Sequence, residues 1–213
     1  MGKKIITISR QTGSGGHEIA ELLAERLQIP LHDRNVVEEA VKELGLENVE
    51  NLDEVDEKLV VDYLAKFAKG YHAIFGKGKL YHMMNLDNAK EEPTISEKMF
   101  ETQSRIIKKL AENGPCIIVG RCADYVLKDR DDVLRVFITA EEEQRVQRMM
   151  ERRSLTHERA VNAVEFSDRD RGKYYGAYTK QKWGVPETYD ITLSTTALGI
   201  EGVVEILAKL YEE

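Results

Sequence analysis

The 213 residues are 42% hydrophobic and 32% charged, a balance that supports one sizeable core and excludes a disordered or fibrous chain. Lys plus Arg number 31 against 38 Asp plus Glu, a net charge of −7, so the bulk field repels nucleic acid and anionic membranes. A polyanion therefore needs a local basic site, and direct nucleic-acid binding is not expected. No apolar run reaches membrane-spanning length, and Cys116 and Cys122 have no His or Cys at a metal-binding spacing. These features predict a single soluble, cytoplasmic domain with reduced thiols, no membrane partner and no structural metal; the oligomeric state has no signature in the sequence.

Residues 4–9, Lys-Ile-Ile-Thr-Ile-Ser, are β-branched and strand-like, and Gly13, Gly15 and Gly16 then punctuate the chain before Ile19, Leu22, Leu23 and Leu27 recur at helical spacing. The order is strand, glycine loop, helix. Pro30-Leu31-His32-Asp33 reads as a second short strand, and Val36, Val37, Ala40, Val41 and Leu44 as one face of a helix capped by Gly45. Residues 46–93 differ, with acidic turns, an apolar stripe through Leu59, Val60, Leu64 and Phe67, and Gly70, Gly76 and Gly78; they read as an insert. Thr94 and Glu97 have capping-box spacing and open a helix that Asn113-Gly114-Pro115 stops, directly before the buried-strand run Cys116-Ile-Ile-Val119. Val133 to Ile138 is a further strand, Thr139 begins a charged helical stretch running with interruptions to about 182, and Tyr189 to Leu193 is the last strand before a final helix. Strands separated by helices throughout imply a parallel sheet covered on both faces.

The loop Ser9-Arg-Gln-Thr-Gly-Ser-Gly-Gly-His17 carries the first chemical argument. A glycine turn between a strand and a helix points backbone N–H groups at one spot that the helix dipole also makes positive, and phosphate is its natural guest. Against the P-loop pattern G-x-x-x-x-G-K-[S/T], Arg10 stands at the first glycine, Gly15 matches, Gly16 replaces the lysine and His17 replaces the hydroxyl residue. Gly13, Ser14, Gly15, Gly16 and His17 are thus expected to hold phosphate through their amides, with Arg10 supplying the missing cation from the other end of the loop. Gly120-Arg121 follows a buried strand, which puts Arg121 at the carboxyl edge of the sheet where ligands of open α/β folds bind. Arg145, Arg148, Arg152 and Arg159 fall at intervals of 3, 4 and 7, one face of a helix if it is continuous, with Arg153, Arg169 and Arg171 nearby. Tyr174, Tyr175, Tyr178 and Trp183 read mainly as helix packing.

These segments together resemble the nucleoside monophosphate kinases, specifically cytidylate kinase and most closely the cytidylate kinase-like group. The carriers are the stretch from Ile6 to Gly16, Leu31-His-Asp-Arg34, Gly114 to Arg121, Arg169-Asp-Arg171, and Tyr189-Asp190 with Ser194-Thr-Thr196. The resemblance implies a three-layer α/β/α P-loop fold with a five-stranded parallel sheet, a nucleoside-monophosphate-binding insert around 46–93 and a lid within 140–172. It implies ATP and Mg²⁺ as cofactors and a small-molecule nucleotide as partner. By the same resemblance, Arg121 matches the arginine that holds the acceptor nucleotide and Asp33 the acid after the second strand, while Asp170 and Lys173 fall where the family has an Asp and an Arg; Arg34 is a looser candidate for the acceptor phosphate. Arg148 and Arg152 would close over the transferring group, and Asp33 would order magnesium. The chain departs from cytidylate kinase at Gly16, Val119 and Cys122, where that enzyme has a lysine and two aspartates. The activity implied is transfer of the γ-phosphoryl group of ATP to a nucleoside monophosphate or similar acceptor; the alternative is a nucleotide- or phosphate-binding module without transfer.

Overall fold

The computed structural model describes residues 4–45 and 95–212, so the insert read at 46–93 and the Thr94 end of the capping box lie outside the described residues. Strand β1 (Ile5–Arg10) leads through the glycine loop into α1 (Gly16–Leu27), and β2 (Leu31–His32) leads into α2 (Arg34–Glu43). Helix α3 (Ile95–Glu112) precedes β3 (Cys116–Val119) and the short α4 (Ala123–Val126). Strand β4 (Val133–Thr139) is followed by α5 (Glu142–Arg153) and α6 (His157–Thr179), and β5 (Ile191–Ser194) by α7 (Thr195–Glu212). The five strands form one parallel sheet in the order β2-β3-β1-β4-β5. The three-layer α/β/α architecture implied by the sequence is therefore present.

Alternation along β1 builds both layers, because successive side chains of a strand point to opposite faces. Ile6 and Ile8 join Ile117, Val136 and Ile138 under Ile19 and Leu23 of α1 and Val203 and Leu207 of α7. Ile5 joins Ile118 and Val133 on the other face, under Val36 and Ala40 of α2 and Ile106 and Ile107 of α3. Ile5, Ile6 and Ile8 are all 0% exposed, so the strand that carries the loop is anchored in the core on both faces and gives that loop a rigid base.

The charged stretch after β4 is two helices rather than one. Strand β4 extends through Thr139, one residue beyond the sequence reading, and Ser154 ends α5 in the left-handed conformation at φ 51°. Thr156 then caps α6 by accepting from the Arg159 N–H. The break takes Arg159 off the face shared by Arg145, Arg148 and Arg152, so the continuous stripe that the spacing suggested does not form.

Helix α5 lies directly on the glycine loop. Gly13 has φ +77°, and a Cβ there would sit 2.5 Å from the Arg145 carbonyl oxygen and 2.9 Å from its Cα. Neither atom is a flexible side-chain tip, so both the backbone conformation and the close approach demand glycine. Gly13→Ala is expected to cost about 1–3 kcal/mol of stability through left-handed strain and displacement of α5. The midpoint of urea unfolding reads this directly, and an unchanged midpoint contradicts the packing.

Candidate active site

The loop is fixed from outside by side chains, which leaves its inner face for a ligand. The Ser14 hydroxyl donates to the Gln11 carbonyl at 2.8 Å, and the Thr195 hydroxyl donates to the Ser14 carbonyl at 2.8 Å. Thr12 is held at all three of its polar groups. Its N–H donates to Asp168 at 2.7 Å, its carbonyl accepts from Arg145 at 3.3 Å, and its hydroxyl accepts from Arg171 at 2.7 Å. Arg145 also pairs with Asp168 at 2.5 Å. Gly15 precedes α1 at φ 85°, and Gly16 and His17 then open the helix, whose first-turn N–H groups have no intrahelical acceptor and carry the positive end of the dipole.

Beside the loop, at the carboxyl edge of β1, β2 and β3, lies a cavity of about 370 Å³. Among the described residues that line it are five arginines, Arg10, Arg34, Arg121, Arg153 and Arg171, against two carboxylates, Asp33 and Asp170. In a chain of net charge −7 this is the local basic site that an anion requires. Ser9, His17, Tyr174 and Trp183 complete much of its wall.

The electrostatics centre on Asp33. Its Oδ2 is 3.0 Å from His17 Nδ1 and 3.8 Å from Arg10 Nη2. Burial alone would raise its carboxyl pKa, but the close pairing with His17 and the charges of Arg10 and Arg121 outweigh burial and hold it below the ordinary range. The same pairing raises the His17 pKa, with Glu21, 3.4 Å from Nε2, adding a smaller pull. For Arg10 and Arg121 burial lowers the pKa; Asp33 offsets it for Arg10, and Tyr174 and Asp33 offset it for Arg121.

Arg121 stands in an unusual turn. Gly120, Arg121 and Cys122 have φ of 72°, 57° and 55°, three successive left-handed residues of which two carry side chains. Such strain persists only where the surroundings over-determine it. Those surroundings include Asp124, a residue whose spacing gave no functional signal. It is 2% exposed and accepts from the Tyr175 hydroxyl at 2.6 Å and, at the long limit of 3.5 Å, from the Ser9 hydroxyl. Burial pushes its carboxyl pKa up against those hydrogen bonds. Asp124 thereby ties the arginine turn to the end of β1 and to α6. Cys122 is 4% exposed, and burial raises its thiol pKa, so it is a packed residue and not a reactive one.

The structure brings Arg10, His17, Asp33, Arg34, Arg121 and Asp170 to one cavity. It adds Arg153 and Arg171, which the sequence reading left at the margin. Arg148 and Arg152 lie elsewhere: Arg148 donates to the Gly13 carbonyl at 2.7 Å, and Arg152 pairs with Glu18 of α1, so both grip the outside of the loop. Lys173 is 3.7 Å from Asp170 and does not line the cavity, while Asp170 is 7% exposed with Oδ2 buried and without a hydrogen-bond partner. Tyr174 and Tyr178 pack against Phe100, the latter stacked at 4.3 Å, as the packing reading expected.

Sequence and structure comparisons establish the family and the fold. The chain matches the cytidylate kinase-like family over residues 5–197, and it belongs to that family. No functionally curated protein matches the chain by sequence. An uncharacterized protein from Eubacterium ventriosum is similar at 24% identity and TM-score 0.69, with 99% of each chain covered. Shikimate kinase from Bacteroides thetaiotaomicron is similar at 11% identity and TM-score 0.53, covering 98% of each chain. Shikimate kinase from Acinetobacter baumannii, solved with shikimate, gives 13% and 0.51, covering 98% of this chain and 92% of that one. The fold is that of the P-loop kinases, and among the described residues no helix is long and apolar enough to cross a membrane.

The His17–Asp33 pair has a readable pH signature. The raised His17 pKa means a contribution to stability that is full below the ordinary imidazole value of about 6.5 and lost as pH rises through the raised value. The lowered Asp33 pKa means one that is full above its ordinary range and lost as pH falls through the lowered value. The His17 ring proton resonances should therefore titrate above pH 6.5 in the wild type and move down in Asp33→Asn, as followed by NMR; an unchanged midpoint removes the pair.

Proposed function

We propose that this protein is an ATP-dependent phosphotransferase that moves the γ-phosphoryl group to a nucleoside monophosphate or a similar small anionic acceptor. The observation that carries this reading is the arginine-lined cavity opening beside the amides of a P-loop at the carboxyl edge of the sheet. Family membership and the P-loop kinase fold support the class of reaction, and the departures at Gly16, Val119 and Cys122 argue against equating it with cytidylate kinase itself.

In this reading the amides of Gly13 and of Gly15 to His17 hold the donor phosphates, with Ser14 locked by its N–H and hydroxyl on the Gln11 carbonyl and by Thr195. Arg121 and Arg34 hold the acceptor's anionic group, and Asp170 offers its unpartnered oxygen to a donor on the same molecule, with Lys173 keeping that carboxylate in place. The acceptor oxygen attacks the γ-phosphorus as the bond to the β-phosphate oxygen breaks and ADP leaves. Catalysis is then positioning plus neutralisation of the charge spread over the transferring group. Arg148 and Arg152 act as positioning residues, through Gly13 and Glu18, on the shape of the loop.

Magnesium fits the site only as a passenger of the nucleotide. Among the described residues no three His, Cys, Asp or Glu side chains are disposed to hold a metal ion on their own, and His17 stands where a hydroxyl ligand is usual. Asp33 is the carboxylate at the loop mouth able to orient such an ion, and bound magnesium would neutralise charge on the donor's phosphates. Transfer is favoured over binding alone because the cavity runs on past the loop to Arg34 and Asp170, giving a second reactant a place.

The test is transfer from γ-labelled ATP with magnesium across ribo- and deoxyribonucleoside monophosphates and nucleosides. Labelled product from one acceptor, reduced about 10²-fold or more in Arg121→Ala with the fold intact, is the expected result. Measurable ATP binding with no transfer to any acceptor overturns the transferase reading in favour of a binding module.

A further inference from the structure

We propose that Arg10 takes the place of the P-loop lysine, and that position 16 is glycine because the Arg10 side chain needs the space a residue there would fill. This rests on the phosphotransferase reading above and goes further, since it assigns the residue that neutralises the donor's outer phosphates.

The pattern puts the lysine at the position of Gly16, whose side chain ordinarily reaches the β- and γ-phosphates. A Cβ at Gly16 would lie 2.6 Å from Arg10 Cβ and 2.9 Å from Arg10 Cγ. Those are the first atoms of the arginine side chain, not its flexible end, so no lysine fits at 16 while Arg10 keeps its course. The guanidinium then crosses the loop mouth. Its Nη1 covers the place where a Cβ on Gly120 would stand, and its Nη2 comes 3.8 Å from Asp33.

Two glycines at opposite ends of the site thus form the walls of one channel. Gly16 accommodates the stem and Gly120, with φ 72°, accommodates the charged head. The backbone of Arg10 is fixed as well: it pairs with Ile138 in the sheet, and its carbonyl accepts from Arg171 at 3.2 Å. The side chain is 20% exposed and lines the cavity, so the cation is delivered to the loop mouth from the opposite wall to the usual one. A planar fork held this way offers two parallel donors to phosphate oxygens, where lysine offers a point charge.

The motif exchange is directly testable with the full chain. Three variants are needed: Arg10→Gln, Gly16→Lys, and the double variant Arg10→Gly with Gly16→Lys. Equilibrium titration with fluorescent ATP and ADP analogues in magnesium buffer reads affinity without an acceptor. Arg10→Gln is expected to lose about tenfold or more in ATP affinity and about threefold or less in ADP affinity, because the contact is to the outer phosphates. Gly16→Lys alone is expected to lose both, since two side chains then compete for one space. The double variant should recover ATP affinity to within about threefold of the wild type. An unchanged ATP-to-ADP ratio in Arg10→Gln shows Arg10 to be only the structural partner of Asp33 and overturns the proposal. So does a double variant that binds ATP no better than Arg10→Gln, a comparison that stands even if Gly16→Lys fails to fold. A wild type with no affinity for ATP overturns the phosphotransferase reading and this inference together.

Discussion

Packing five arginines around one cavity is the constraint on which the site depends. Burial desolvates Arg10 and Arg121 among them, and like charges repel there, while Asp33 and Asp170 are the carboxylates among the described lining residues. Burial makes both Arg10 and Arg121 hold their protons less tightly than usual, and the charge of Arg10 adds to the difficulty of Arg121. A fold that maintains this arrangement stores a demand for negative charge at a defined place, and the P-loop amides next to it make the same demand through backbone dipoles. The chain as a whole carries −7, so its bulk charge does not attract anions.

Holding that arrangement requires rigidity, and its sources can be traced. Strand β1 is buried on both faces and delivers the loop from the centre of the sheet. Helices α5 and α6 clasp the loop through Asp168, Arg145 and Arg171 on Thr12 and through Arg148 on Gly13. The charged stretch after β4 therefore serves first as a brace on the loop, and Arg153 and Arg171 of the same two helices reach into the cavity. Asp124 does the corresponding work beneath the strained Gly120-Arg121-Cys122 turn.

Much of this was legible in the sequence, and the boundary is instructive. The sheet could be read because buried parallel strands are uninterrupted β-branched runs, and Cys116 to Val119 fell at the observed limits. The loop could be read because glycine spacing is a backbone property, and Arg121 because it follows a buried strand. Arg148 and Arg152 could not be placed from spacing, because a helical face says nothing about whether it meets a ligand or a neighbouring loop. The break at Ser154 had no glycine or proline to announce it. Asp124 looked like any acid in a charged chain; only burial against Tyr175 and Ser9 distinguishes it, and burial of a polar residue is a property of the assembled fold. His17 likewise acquired its partner from a strand end distant in sequence.

The central claim is that one cavity, bounded by the loop and the Gly120-Arg121 turn, receives the nucleotide phosphates. Backbone amide shifts on titration with magnesium ATP test it most directly. The account predicts the largest changes at Gly13 to His17 and at Gly120 to Cys122, with smaller ones at Asp33 and Arg34. Changes concentrated instead along the exposed groove between α3 and α4, around Arg105, Lys108 and Lys128, would contradict it.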